Sequence, residues 1–198
     1  MPIAGVAAPG TLDEAARADH IHAINPAMSY PVRPGWHSAP LGHRSNSQRG
    51  FATGELVVSP LPVFTPLNVD HFVVRATGDA FLAGVYSASV GSLLPNQLVS
   101  ELTAATDGAL VKLTPSTPLQ LNPGMYWVAA LPQAAGIQFT DFEDRAMAQR
   151  YILNEGYNNG NRAYVYTGPY VTLPTSLNTV DPFIANDGTF WYQVGMAW

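Results

Sequence analysis

The chain has 198 residues, enough for one domain of ordinary size or one domain with an appendage, and its 47% hydrophobic content is ample for a core. Only 12% of residues are charged and the net charge is −5, which speaks against nucleic-acid binding, since that needs clustered Lys and Arg on the phosphates. With no cysteine, disulfides and thiolate metal sites are excluded.

Composition divides the chain into a polar, alanine-containing segment over 1–26, a Pro-, Gly-, Ser- and His-rich stretch over 27–54, and a region of short apolar runs and turns over 55–198. These are expected to be an attachment or trimerisation arm, a linker and a head. The opening Met-Pro-Ile-Ala-Gly lacks the basic start and apolar core of a signal peptide. No apolar run reaches the roughly 20 residues of a membrane helix. The expectation is a protein assembled in the cytoplasm, with neither signal-peptide export nor membrane insertion.

Thr11-Leu12-Asp13-Glu14 fits a capping box: the Thr11 hydroxyl accepts from the Glu14 N–H while the Glu14 side chain reaches back. Ala15, Ala16 and Ala18 extend the helix cheaply, and Pro26 bounds it. Two turns at most are predicted, and a helix so short needs a packing partner.

Beyond Glu55 the signals are those of strands. Residues 69–76 and 80–86 are two apolar runs joined by Thr77-Gly78-Asp79, a hairpin-like link. Asp107-Gly108, between 101–103 and 110–113, is the strongest hairpin cue in the chain. Leu119-Gln120-Leu121 alternates, Asn122-Pro123-Gly124 turns, and 125–131 is a continuous apolar strand of the buried kind. Residues 141–153 form a weak helical candidate, 157–170 a long irregular loop and 189–198 a last strand. Short strands with turns every 8–12 residues predict a mainly β fold, an antiparallel β-sandwich of jelly-roll type, with an extended N-terminal arm carrying a short helix.

Few residues suggest chemistry. His20 and His22 project from one face of an extended backbone, and three such pairs around a three-fold axis would offer six nitrogens to a transition-metal ion. The plainer alternative is two polar residues in an arm. His37, His43 and His71 read as loop or half-buried histidines. There is no H-E-x-x-H spacing and no G-x-S-x-G elbow. Asp141, Glu143 and Asp144 could in principle pair for glycoside hydrolysis, but read better as the solvated start of the 141–153 helix. The chain is therefore expected not to be an enzyme, and no cofactor is expected apart from that axial ion. Tyr157, Asn158, Asn159, Tyr164, Tyr166 and Tyr170 offer rigid amphipathic area and hydrogen bonds suited to a recognition surface. Packing between loops and the core is the favoured alternative for them.

Two stretches carry a family resemblance. Ala8-Pro9-Gly10-Thr11 through Glu14-Ala15-Ala16-Arg17-Ala18-Asp19-His20-Ile21-His22 resembles a short motif of tailed-phage fibre and other virion proteins. Phe81-Leu82-Ala83-Gly84-Val85-Tyr86-Ser87, with Leu121-Asn122-Pro123-Gly124-Met125-Tyr126-Trp127-Val128-Ala129, is similar to strands of a β-sandwich in phage fibres and adhesins. The resemblance implies a homotrimeric virion component that holds onto the particle and meets the host surface or neighbouring capsid. It places His20 and His22 near the three-fold axis and makes Thr11, Glu14, Arg17 and Asp19 arm or oligomer contacts. The chain has no repetitive shaft, and Pro-rich coil follows the motif, which keeps a capsid decoration or cement protein and a head fibre open beside a tail fibre. A carbohydrate-binding module is the alternative from another class. The implied partners are copies of itself, capsid or tail proteins, and a host-surface glycan or protein.

Overall fold

The computed structural model describes residues 37–38, 44–89, 94–107, 110–142, 163–177, 183–186 and 190–196, all within the unit Val32–Trp198. Among them are thirteen strands and no helix. In chain order these are β1 (His37–Ser38), β2 (Arg44–Gly50), β3 (Leu56–Val63), β4 (Leu67–Arg75), β5 (Phe81–Ala88), β6 (Pro95–Asp107), β7 (Leu110–Pro115), β8 (Leu119–Leu121), β9 (Gly124–Pro132), β10 (Gln138–Phe142), β11 (Ala163–Tyr166), β12 (Phe183–Asn186) and β13 (Tyr192–Met196). All the pairings between them are antiparallel.

Eleven strands join one sheet in the order β1-β13-β4-β7-β6-β5-β9-β3-β11-β12, with β8 added to β4, while β10 and β2 form a separate ribbon. The large sheet turns back on itself. Ser59 on β3 donates from Oγ to the Phe190 carbonyl at 3.1 Å, and the Tyr192 hydroxyl on β13 donates to the Pro60 carbonyl at 2.6 Å. Strands six places apart in the order therefore face each other across a core. The turn is made by β6, whose first half pairs with β5 and whose second half pairs with β7. Register shifts between Val85 and Tyr86 and between Ser87 and Ala88 disturb the β5–β6 ladder, and such bulges add local bend and twist.

Side-chain alternation decides what lies inside. On β4, Leu67, Val69, Phe72 and Val74 are buried, and they join Val57, Leu61, Val85, Val111, Leu113, Val128 and Val194 in the main cluster. Phe139 of β10 closes it, meeting Phe51, Phe81 and Phe190 with ring centroids 6.2, 5.0 and 5.5 Å apart. The opposite face of β3, β9 and β5 carries a second cluster of Leu56, Val58, Tyr86, Trp127, Ala129, Leu131 and Tyr166. A strap without regular structure, residues 167–177, covers it with Leu173 and Leu177. The strap is tied to the sheet by Tyr86 hydroxyl to Pro174 carbonyl (2.8 Å), Leu98 N–H to Thr175 carbonyl (3.0 Å) and Leu177 N–H to Asn96 carbonyl (2.6 Å). Strands β3 and β9 are thus covered on both faces, which is why β3 is buried along its whole length and 127–132 is a continuous apolar run.

The Asp107-Gly108 hairpin is present: Asp107 pairs with Leu110, leaving a two-residue loop. The Asn122-Pro123-Gly124 turn joins β8 to β9, and 192–196 is the last described strand. Four expectations need correcting. Thr77-Gly78-Asp79 does not close a hairpin, because β4 pairs with β13, β7 and β8, whereas β5 pairs with β6 and β9. That link is held instead by the first residue of β10: the Thr77 N–H donates to the Gln138 carbonyl (3.0 Å) and the Gln138 N–H to Thr77 Oγ1 (2.9 Å). Asp141 and Phe142 end strand β10 and do not start a helix; the rest of the 141–153 candidate, residues 143–153, lies outside the described residues. Two strands, β1 and β2, occur in the stretch read as linker, because β13 and β10 supply open ladders for them. Strand β11 lies within 157–170, read as loop, and pairs with β3 and β12. The short N-terminal helix over 11–18 lies outside the described residues.

Candidate functional site

The polar group with the most specific geometry is on the outer face of β4. In a regular strand neighbouring side chains point to opposite faces, so Asp70 and His71 would be separated by the sheet. Here Gly195 of β13 pairs with His71 but Met196 pairs with Val69, which leaves Asp70 as the extra residue of a β-bulge. Val69 and Phe72 remain buried in the core, and both Asp70 and His71 turn outward. His71 Nδ1 then lies 2.6 Å from Asp70 Oδ2. A carboxylate only accepts, so Nδ1–H donates. Lys112 of β7 places its ammonium 3.9 Å from the same carboxylate oxygen.

The hydrogen bond from His71 is the main cause that holds the Asp70 carboxyl below its ordinary value of 3.8; burial opposes it, and the charges of His71 and Lys112 assist. The imidazole lies directly over Gly195. A Cβ built there would come within 2.6 Å of His71 Nε2 and 2.8 Å of Nδ1. Only glycine at this position lets the ring lie flat on β13. His71 is largely shielded, with 15% of its side chain exposed, while Asp70 is open to solvent. The group is thus an imidazole held in orientation by a neighbouring carboxylate. Adjacent Asp and His give no sign of this in the sequence, since an undisturbed strand would keep them apart.

The tyrosines of the last third split. Tyr166 is 1% exposed and sits inside the second cluster, so it is a packing residue and not part of a recognition surface. Pairing of β11 with β3 forces this, by setting Tyr166 opposite Leu56 and Tyr164 opposite Val58. Tyr164 and Tyr170 are half-buried against the same cluster, Tyr164 with its ring centroid 5.3 Å from that of Trp127. Burial pushes the hydroxyl pKa of Tyr86, beneath the strap, far above its ordinary value, with Tyr170, Glu101 and Tyr166 adding to the shift. Tyr157, Asn158 and Asn159 lie outside the described residues, as do Thr11, Glu14, Arg17, Asp19, His20 and His22.

Asp141, read as solvated, is 3% exposed on β10, because the strand continues where a helix start was expected. The neighbouring Trp191 indole N–H is buried with no hydrogen-bond partner among the described residues. No group of three or more His, Cys, Asp or Glu gathers in metal-holding fashion among the described residues. The large apolar side chains most open to solvent among them are Val171 on the strap and Phe64 between β3 and β4. No protein-family model and no curated protein matches the chain.

Proposed function

We propose that this protein is a non-enzymatic structural component of a tailed-phage virion. It forms a homotrimer in which 1–26 is the arm that grips the particle and the β region, a jelly-roll-like sandwich, is the head that meets the host surface. The observation that supports this most is the pairing of the strands that contain 81–87 and most of 121–129, which carry the part of the resemblance that lies in the β region. Phe81–Ala88 and Gly124–Pro132, about forty residues apart in sequence, lie side by side as β5 and β9, with Gly84 opposite Ala129 and Tyr86 opposite Trp127. The glycine of the first segment is needed for close packing, since a Cβ there would lie 2.9 Å from Leu98 and 3.0 Å from Leu173. The two segments are therefore one structural unit at the centre of the fold.

A capsid decoration role is the second reading, favoured by the 12% charged content, because a sparsely charged surface suits permanent cover by neighbouring subunits. A carbohydrate-binding role for 164–170 is less well supported, since Tyr166 faces inward and Tyr164 packs on Trp127. Sedimentation equilibrium of the full chain tests the trimer. A species of three times the 21.2 kDa chain mass at micromolar concentration is the expected result, and a clean monomer would overturn it.

A further inference from the structure

The two apolar clusters are closed in different ways. The main one is enclosed mostly by strands laddered to one another, whereas the second, among the described residues, is covered on its outer side by the 167–177 strap. The strap contains Pro169 and Pro174, which have no N–H to give to a ladder. It meets a strand in register only at Gln97–Ser176, a single isolated bridge. Two of its side chains, Leu173 and Leu177, are buried, while Thr167, Pro169, Val171, Thr172 and Thr175 are exposed. Its entry is a tight turn: the Tyr170 N–H donates to the Gly168 carbonyl at 2.8 Å, and the Tyr170 ring folds back over Gly168, where a Cβ would lie 2.7 Å from it. Beneath the strap lies an aromatic sheet face, with Tyr86 of β5 opposite Trp127 of β9 and Tyr164 of β11 against the Trp127 ring.

We infer that the strap is a lid: residues 167–177 lift from the sheet as one unit, baring Tyr86 and Trp127, while the strands and the main cluster stay folded. The cost of opening is limited by what the strap holds. Lifting it breaks the bonds from the Tyr86 hydroxyl to the Pro174 carbonyl, from the Leu98 N–H to the Thr175 carbonyl, from the Leu177 N–H to the Asn96 carbonyl and from the Tyr170 N–H to the Gly54 carbonyl (3.2 Å). It also exposes Leu173 and Leu177. It takes no residue from the main cluster and breaks no pairing between named strands. Strands β3 and β9 keep both neighbours, and their other face stays on the main cluster. A segment with few buried apolar side chains and few bonds to its surroundings opens at a lower free energy than the ladders beneath it. Leu173 is the latch: it and Leu98 fill the space over Gly84, where a Cβ would lie 3.0 Å from the one and 2.9 Å from the other. Closed, the lid keeps an adhesive aromatic face out of solvent. It belongs to the β region alone and does not rest on the virion role proposed above.

Amide hydrogen exchange of the full chain, followed by NMR over a series of sub-denaturing urea concentrations, tests the lid. The Leu98 and Leu177 amides, whose bonds join strap to sheet, should exchange with one common opening, at least tenfold more frequent than that of the β4–β13 and β5–β9 ladder amides. Their rates should depend only weakly on urea, because lifting the strap exposes little surface. Leu173→Ala should quicken these two amides at least tenfold. Tyr192→Phe, a change within the main cluster, should quicken the ladder amides and leave Leu98 and Leu177 as they were. The unaltered chain gives an answer by itself, so a variant that fails to fold does not remove the test. Leu98 and Leu177 amides that open at the frequency and with the urea slope of the ladders would overturn the lid. So would openings of the two that differ from each other, or equal acceleration of both sets of amides in Tyr192→Phe.

Discussion

Replacing Tyr192 by Phe removes one oxygen from the contact that joins the facing strands β13 and β3. Tyr192 is fully buried, and its hydroxyl donates to the Pro60 carbonyl on β3 at 2.6 Å. The ring contacts to Phe72 and Phe190, with centroids 6.0 and 6.2 Å away, are available to phenylalanine as well. What is lost is the hydrogen bond, and what is left is a buried carbonyl deprived of this donor, at a cost of about 1–3 kcal/mol. For a domain of this size each kcal/mol lowers Tm by roughly 2–4 °C, so a fall of about 4–8 °C is expected at the middle of that range. Urea unfolding followed by circular dichroism should show a lower midpoint at an unchanged slope. Ser59→Ala, which deletes the neighbouring Ser59–Phe190 contact, should destabilise in the same direction, and the double variant should depart from additivity because both bonds tie β3 to the β13 end. A Tyr192→Phe variant within about 0.3 kcal/mol of the parent, less than typical surface substitutions scatter, would refute the facing of β13 and β3 across the core.

Four further outcomes follow from the geometry. Tyr86→Phe frees the Pro174 carbonyl and loosens the strap, so exchange of the Leu98 and Leu177 amides that bind it should quicken by roughly fivefold to tenfold, for about 1 kcal/mol. Because burial raises the Tyr86 pKa in the fold above its unfolded 10.0, the stability it supports is intact below pH 10 and is lost as pH rises further; alkaline unfolding should be shallower in Tyr86→Phe. Asp70 should titrate below 3.8 by carboxyl NMR, and since its folded value is depressed, its small contribution is present above that pH and fades as pH falls through the folded midpoint; Asp70→Asn should remove this dependence. Gly84→Ala sets a methyl 2.9 Å from Leu98 Cδ1 and 3.1 Å from the Ser100 carbonyl, and should cost about 1–3 kcal/mol by urea unfolding.

Local chemistry carried much of the fold in plain view. Asp107-Gly108 closes the β6–β7 hairpin, Asn122-Pro123-Gly124 ends β8, and the apolar run at 127–132 marks a strand covered on both faces. Partnering over long distances was less legible. Thr77-Gly78-Asp79 has hairpin chemistry, yet Gln138 and Gly136 capture Thr77 and send the chain to the opposite half. Asp141 has the polarity of a helix start, but pairing of β10 with β2 extends the strand past it. Tyr166 looked available until β11 joined β3, which fixed its face. The Asp70–His71 pair depends on a single extra residue in one strand, and pattern reading has no signal for that.

The measurement that bears most directly on the proposed role is a cryo-EM reconstruction of the intact phage particle encoded by the same genome as this chain, with any copies of the chain located and counted. Density for the β fold as a trimer, set on the capsid or the tail by its N-terminal arm, is the predicted result. Hundreds of copies at three-fold positions of the head would select decoration, and a few copies at the tail would select a fibre. A purified, infectious particle that contains no copy of this chain would contradict the account.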